Sequence, residues 1–319
     1  MRRMILILLL CAAGVRMCAQ ENDSLLVMFW NVENLFDWTD QGTGESDKEF
    51  SSYGDRHWTK SRFYAKCDAI AKSIMWIADR YGSMPDVIGL AEVENKGVLT
   101  KLLNYSLLRK YDYAIVHRES GDRRGIDVAL LYRRSSMTLS SKSFKIPVYQ
   151  GKNMSTRDIL HAGMTLNDGR NMEFIVNHHP SKFGGEKESE GRRVAAMNSL
   201  KELCDSLYAC GRGNIVVMGD FNDTPDGDQF SAVSDVLDNK AIPLHERHEG
   251  TIRYKGKWEL IDLFLASPDL PSENMEVVRI PFLTTYDRSY PGEKPLRTYS
   301  GPRYMGGVSD HCPIVIKIH

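Results

Sequence analysis

Ser309-Asp310-His311-Cys312-Pro313 closes the chain, followed at once by the apolar run Ile314-Val315-Ile316. An Asp-His pair at the mouth of a short β-run sets a carboxylate that can hold a cation beside an ionisable imidazole. The same arrangement recurs upstream. Asn31-Val32-Glu33-Asn34, Glu92, Asn177-His178, Gly219-Asp220-Phe221-Asn222 and Ile261-Asp262 each sit at the end of an apolar, strand-like run. Polar groups gathered at the ends of buried strands are how a site is assembled from distant stretches of chain.

The runs predict strands over Leu25–Val32, Asp86–Val93, Tyr113–His117, Asp127–Tyr132, Ile159–Leu166, Met172–His178, Ile215–Phe221, Leu260–Ala266, Met275–Ile280 and Cys312–Ile318. Several are almost wholly apolar, as strands covered on both faces are. Phe63, Cys67, Ile70, Ile74 and Ile77 step by three and four and predict a helix that Gly82 and Pro85 end. Val194, Met197, Leu200, Leu203 and Leu207 predict a second helix, ended by Gly211, and Val98–Arg109 a third. Asp168-Gly169 reads as a hairpin turn. Long helices are too few to give every strand a crossover, so some neighbours must be hairpins. The expected fold is α/β, with mixed sheets packed face to face and helices on the outer faces.

With 319 residues, 42% hydrophobic and 26% charged, the composition is that of a globular chain. It contains no low-complexity tract, repeat or linker. Met1-Arg2-Arg3, the apolar stretch Ile5–Ala13 and Met17-Cys18-Ala19 read as a signal peptide over residues 1–19. Residues 20–319 then form one domain, exported to the periplasm or beyond. Cys11 and Cys18 raise a lipoprotein instead, but neither follows the small residue such sites favour. Removal of the signal leaves 38 bases against 42 acids, a net charge near −4. Such a chain has no global basic field to attract nucleic acid, so a polyanion must be held locally. Cys67, Cys204, Cys210 and Cys312 match no zinc spacing, and a Cys204–Cys210 disulfide stays open. No stable protein partner and no membrane span is implied; the expected state is a monomer.

Glu33, Glu92 and Asp310 are hard oxygen donors suited to Mg²⁺, with Mn²⁺ as the alternative. A single strand-end acid is ordinarily just solvated; several together are not. Asp220 could take a proton or orient a water, and Asn222 could hold a phosphate oxygen or that water. The competing reading of this segment is an Asx turn. His178, just after Asn177, could donate to a phosphoryl oxygen as charge builds there. Asp262 lies inside Leu260-Ile261-Asp262-Leu263-Phe264, where a carboxylate is costly without a partner. His311 would be that partner, its tautomer fixed by the acid. Arg124, at a strand start, Asn177 and Lys182 could meet substrate phosphate.

Taken together, FWNVENLFD, GLAEVEN, RGIDVALLYR, VNHHPSK, VVMGDFND, ELIDLFLAS and GVSDHCPI resemble the endonuclease/exonuclease/phosphatase superfamily, in that family's order. The first two look like its secreted, nuclease-like bacterial branch. The resemblance spans about Leu25 to Ile318 and implies a four-layer α/β/β/α sandwich and Mg²⁺-dependent cleavage of phosphoester bonds. It implies that Asn31 contacts phosphate or the metal shell, that Glu92 is the principal metal ligand and that Asp310 joins the metal side. It puts His178 on the scissile phosphate, Asp220 and Asn222 on water and phosphate, and Asp262 behind His311. His311 and Asp220 remain joint candidates for the base. Ala91 and Leu263 depart from residues frequent in the family. Nucleic acid is the expected substrate. A phospholipid, inositol phosphate or small phosphoester is the alternative, and a non-catalytic binding module descended from the enzyme the second.

Overall fold

The computed structural model describes residues 24–182 and 185–319. The signal peptide expected over residues 1–19 lies outside them. Twelve strands build two sheets. In chain order these are β1 (Leu25–Leu35), β2 (Val87–Val93), β3 (Tyr113–His117), β4 (Asp127–Arg133), β5 (Met137–Lys145), β6 (Ile159–Leu166), β7 (Asn171–His178), β8 (Ile215–Asp220), β9 (Asp238–Asn239), β10 (Asp262–Ala266), β11 (Glu276–Val277) and β12 (Ile314–Ile318). One sheet runs β11-β12-β1-β2-β4-β3 and the other β9-β10-β8-β7-β6-β5. This is the expected mixed α/β sandwich.

Each sheet has one parallel pair, β1 with β2 and β7 with β8; the other neighbours are antiparallel. A parallel pair needs a crossover. The two long helices supply it: α1 (Lys60–Tyr81) between β1 and β2, and α3 (Glu186–Ala209) between β7 and β8. Between them in the chain comes α2 (Lys96–Tyr105), packed on the same side as α1. The Phe63, Cys67, Ile70, Ile74 and Ile77 stripe of α1 is buried, each such large side chain adding about 1.5–3 kcal/mol. Thr59 caps α1 by accepting from the Arg62 N–H, and Gly82 ends it at φ 79°.

Strand alternation divides the core. Val27 and Phe29 of β1 face the second sheet, whereas Leu26, Met28 and Trp30 face α1 and α2. Asn31 continues the first set, so its amide enters the space between the sheets, as its contact with Asp220 shows.

Some expectations change. The strand expected over Met275–Ile280 is only Glu276–Val277, pairing with Val315 and Ile314. The third helix stops at Tyr105. Ser106 turns out of it and accepts from the Leu108 N–H, opening a 3₁₀ turn over Leu107–Lys110. β5 gave no apolar run because it is an edge strand whose outward residues are Ser and Lys. Cys204 is buried and Cys210 exposed, and both are free thiols. Among the described residues no helix is long and apolar enough to cross a membrane.

Candidate active site

The rim is made where two neighbouring strands leave regular geometry. The β1–β2 register shifts between Asn31 and Leu35, and the β2–β4 register shifts between Ala91 and Val93. Bulges re-aim side chains. At these breaks Glu33, Asn34 and Glu92 adopt φ of 47°, 55° and 62°, and Asn222 beyond β8 adopts 51°. Left-handed backbone at non-glycine residues carries strain, and here it clusters at one rim. The Glu92 turn lets its Oε2 accept the Asn34 N–H at 2.9 Å. Its Oε1 then lies 3.4 Å from Asn31 Nδ2.

Asp220 is the centre of the cluster. It ends β8 opposite His178 of β7 and opposite Asp262 of β10. Asn31 Nδ2 donates to its Oδ2 at 3.0 Å, and the Asn222 N–H to its Oδ1 at 2.9 Å. His178 Nε2 lies 3.5 Å and His311 Nε2 3.9 Å from the same Oδ2. Burial and then the Asp262 charge push the Asp220 carboxyl up to about 7, against the pull of His311. On its other nitrogen His311 meets Asp262, Nδ1–H donating to Oδ2 at 2.8 Å. Burial alone would lower this imidazole. The completely buried Asp262, with Asp220 and Asp310 beyond it, instead holds it well above its ordinary value. His178 moves the other way, lowered well below its ordinary value by burial and then by Arg157 and Arg124. The two imidazoles are therefore pushed in opposite directions around a single carboxylate, His311 toward its charged form and His178 toward its neutral form.

Two half-exposed guanidiniums flank this centre. Arg124 Nη2 donates to Asn34 Oδ1 at 2.6 Å and lies 3.5 Å from Glu92 Oε2. Arg297 binds Glu33 Oε1 at 2.8 Å and Asp310 Oδ2 at 3.0 Å. Asp310 Oδ1 reaches within 3.9 Å of His311 Nε2.

Nine of the twelve anticipated residues sit together here: Asn31, Glu92, Arg124, His178, Asp220, Asn222, Asp262, Asp310 and His311. Three are placed differently. Glu33 has both carboxylate oxygens engaged, Oε1 by Arg297 and Oε2 by the Thr298 N–H at 2.9 Å, so it frames the rim instead of offering a free ligand. Burial and then Asp310 push its carboxyl up to about 7. Asn177 pairs in register with Gly219, and alternation turns it to the face of β7 opposite His178. It is fully buried there, with neither amide atom hydrogen-bonded among the described residues. Gly219 is required beside it, because a Cβ would fall 2.5 Å from the Asn177 carbonyl oxygen. Lys182 lies 3.1 Å from Asp223, in an adjoining groove with Lys187, Arg193 and Gln229. Asn222 joins the centre through its backbone, while its Nδ2 donates to the His179 carbonyl at 3.0 Å.

Sequence reading missed Arg297, Ser309 and Arg157. Arg297 is 264 residues from Glu33 in an irregular segment, with no strand end to mark it. Ser309 accepts the His311 N–H and donates to the Asn31 carbonyl at 2.6 Å, tying the two ends of the chain together. The serine in Ser309-Asp310-His311 was the available signal.

The family model described as Endonuclease/Exonuclease/phosphatase family matches residues 26–319. The chain belongs to this family. No curated protein matches it. Among solved structures, the human Nocturnin catalytic domain with bound sulfate anion is 16% identical, with a TM-score of 0.61 and 93% of each chain covered. The Bacteroides thetaiotaomicron mannosyl-6-phosphatase is 15% identical at a TM-score of 0.58, covering 92% of this chain and 99% of that one. TDP2 from D. rerio complexed with single strand DNA product is 16% identical at 0.57, covering 93% and 100%. These likenesses carry the fold of the endonuclease/exonuclease/phosphatase family and not a substrate.

Divalent cations belong to this family's chemistry, and the residues fit one. Glu92 and Asp310 are carboxylates with side chains 12% and 39% exposed, so an ion can reach them; Asn31 turns its Nδ2 toward Glu92 and Asp220, while its Oδ1 accepts the Glu33 N–H at 3.0 Å. Ligand atoms of Asp220, Asp262 and His311 also fall within 4.8 Å of one another. That triad fits an ion less well: His311 Nδ1 is spent on Asp262, and Asp262 has no exposure. The Glu92–Asp310 end is the better donor set for a hard cation.

Proposed function

We propose that this protein is a divalent-cation-dependent phosphodiesterase acting on nucleic acid. The observation that carries the reading is Asp220, one buried carboxylate shared by His178, the Asn31 amide and the His311–Asp262 pair. Two half-exposed arginines beside it supply the local positive charge that a chain near −4 lacks overall. A successive-phosphate substrate suits two separated guanidiniums.

Mg²⁺, or Mn²⁺, held by Glu92 and Asp310 would neutralise charge on the phosphoryl and leaving oxygens. The chain's own groups do the rest. Asp220, at about 7, is matched to taking a proton from water near neutral pH. His311, kept cationic by Asp262, faces that carboxylate and steadies negative charge as it develops. Neutral His178 offers Nε2–H to a phosphate oxygen without adding a second charge. Asn222 fixes Asp220 through its backbone N–H. Arg124 and Arg297 orient flanking phosphates.

Purified protein should be assayed on plasmid DNA, single-stranded DNA, RNA, a simple phosphodiester, inositol and sugar phosphates, and sphingomyelin. Each is run with Mg²⁺, Mn²⁺ or EDTA. Nucleic-acid cleavage that EDTA abolishes and Glu92→Gln weakens is the expected result. Full activity in EDTA, or turnover of lipid or sugar phosphate with no nucleic-acid cleavage, overturns the reading. We also propose export through residues 1–19, supported by the basic start and the apolar stretch Ile5–Ala13.

A further inference from the structure

Lys66 of α1 is the one lysine buried among the described residues, at 2% exposure, and it takes no part in the Asp220 centre. A buried ammonium is costly unless hydrogen bonds and opposite charge replace its lost hydration. Lys66 Nζ donates to the Glu33 carbonyl and, at 2.8 Å, to Thr298 Oγ1. The Trp58 ring covers it from a third side, its centroid 5.9 Å away. The charges of Glu33, Glu92 and Asp310 act on it against the cost of burial.

The two bonds fall behind the two carboxylates that suit a cation. The Glu33 carbonyl belongs to the same peptide group as the Asn34 N–H, and across a trans peptide the two point opposite ways. The Asn34 N–H donates to Glu92 Oε2 at 2.9 Å. Lys66 and Glu92 therefore grip one peptide from its two sides, the ammonium polarising the carbonyl and with it the N–H. This peptide joins two residues of positive φ, Glu33 at 47° and Asn34 at 55°. Such backbone persists only where its surroundings fix it. Thr298 leads to the other carboxylate. Its N–H donates to Glu33 Oε2 at 2.9 Å and its hydroxyl to the Val308 carbonyl at 2.9 Å. Its neighbour Arg297 binds Asp310 Oδ2 at 3.0 Å. One ammonium thus ties α1 both to the β1 bulge and to the segment that carries Asp310.

We propose that Lys66 is a positioning residue for the divalent-cation end of the site. It fixes the Glu33–Asn34 peptide that aims Glu92, and the Thr298 segment through which Arg297 holds Asp310. The proposal rests on the cation-dependent part of the function proposed above and not on the substrate. Charge and geometry predict opposite signs here. A positive charge behind a cation site repels the ion, so its removal alone tightens binding. Loss of a group that holds the ligands loosens binding, by about 10–100-fold for partners of this kind.

The test is calorimetric titration of the substrate-free whole protein with Mn²⁺ and with Mg²⁺ at pH 7, beside its melting temperature. The proteins are wild type, Lys66→Met, Thr298→Val and Ile70→Ala, the last losing only packing on the same buried face of α1. Lys66→Met should bind the cation about 10–100-fold more weakly. The Mg²⁺ concentration for half-maximal cleavage should rise with it, while the rate in saturating Mg²⁺ falls less. Thr298→Val keeps the charge and removes one of its two bonds, and should weaken binding in the same direction. Ile70→Ala should melt lower and bind as wild type does. Unchanged or tighter binding by Lys66→Met overturns the proposal and leaves cation dependence standing. Equal weakening in Ile70→Ala also overturns it, because the loss would then be a general loosening of α1. If Lys66→Met does not fold, Thr298→Val decides, and wild-type binding there overturns the proposal. A wild type that binds neither cation overturns the cation-dependent reading and this proposal together.

Discussion

Replacing Asp262 by Asn tests the centre of the proposed mechanism. The substitution keeps volume and removes one charge at a position with no exposure, 2.8 Å from His311 Nδ1. Two consequences follow. His311 loses the main group opposing its burial, so its value should drop from well above ordinary to below it. Asp220 loses the second cause of its upward shift and should titrate lower. Both changes spoil the proton inventory at the attacking water, and turnover should fall about 10²–10⁴-fold, the range for positioned acid–base groups. At about 1.36 kcal/mol per decade this is about 2.7–5.4 kcal/mol of barrier. His311→Ala should cost about the same. Because the two act as one unit, the double variant should lose about what the worse single variant loses, instead of about 10⁴–10⁸-fold. The assay is single-turnover cleavage in saturating Mg²⁺, with circular dichroism to confirm folding and an NMR titration of the His311 ring. Losses that multiply, or a His311 ring that stays protonated in Asp262→Asn, would refute the pair.

Three further outcomes are expected. In EDTA, the melting temperature should fall as pH rises from 6.5 to 8.5. Asp220 and Glu33, raised to about 7, and His311, raised well above 6.5, hold protons more tightly in the folded state, so the stability they add is complete below their unfolded values and lost through their folded ones. His178 and His179, both lowered, act below 6.5; Glu94, raised to about 8, adds to the fall, while Lys66, lowered to about 8 by burial, opposes it at the upper end of the window; a flat or rising scan counts against the shifts. Arg297→Ala should destabilise by about 1–2 kcal/mol in urea unfolding, since it leaves buried Glu33 facing Asp310, with the half-exposed guanidinium partly screened by water; a change near zero would make Arg297 a surface contact. N-terminal sequencing of protein from the native cell should find a start near Gln20, and an intact Met1 on cytosolic protein would end the export reading.

Strand-end polar residues were readable because strands covered on both faces leave long apolar runs, and the first polar residue after each run marks the rim. That sufficed for Asp220, Asp262, His178 and His311, and for the pairing of a costly buried acid with an imidazole. It sufficed for α1 and α3 too, whose stripes repeat at the helical period. Tertiary structure decided what periodicity does not encode. The bulges at Asn31–Leu35 and Ala91–Val93, which aim Glu92 inward, come from register between strands far apart in sequence. The face of Asn177 follows from one step of alternation, so a motif of adjacent residues was split across a sheet. Arg297 meets Glu33 and Asp310 because an irregular segment folds back over β1, a long-range contact with no local signature. The grip of Lys66 on the Glu33 carbonyl likewise exists only once α1 packs on β1, since two residues 33 apart in the chain meet through space and not through sequence.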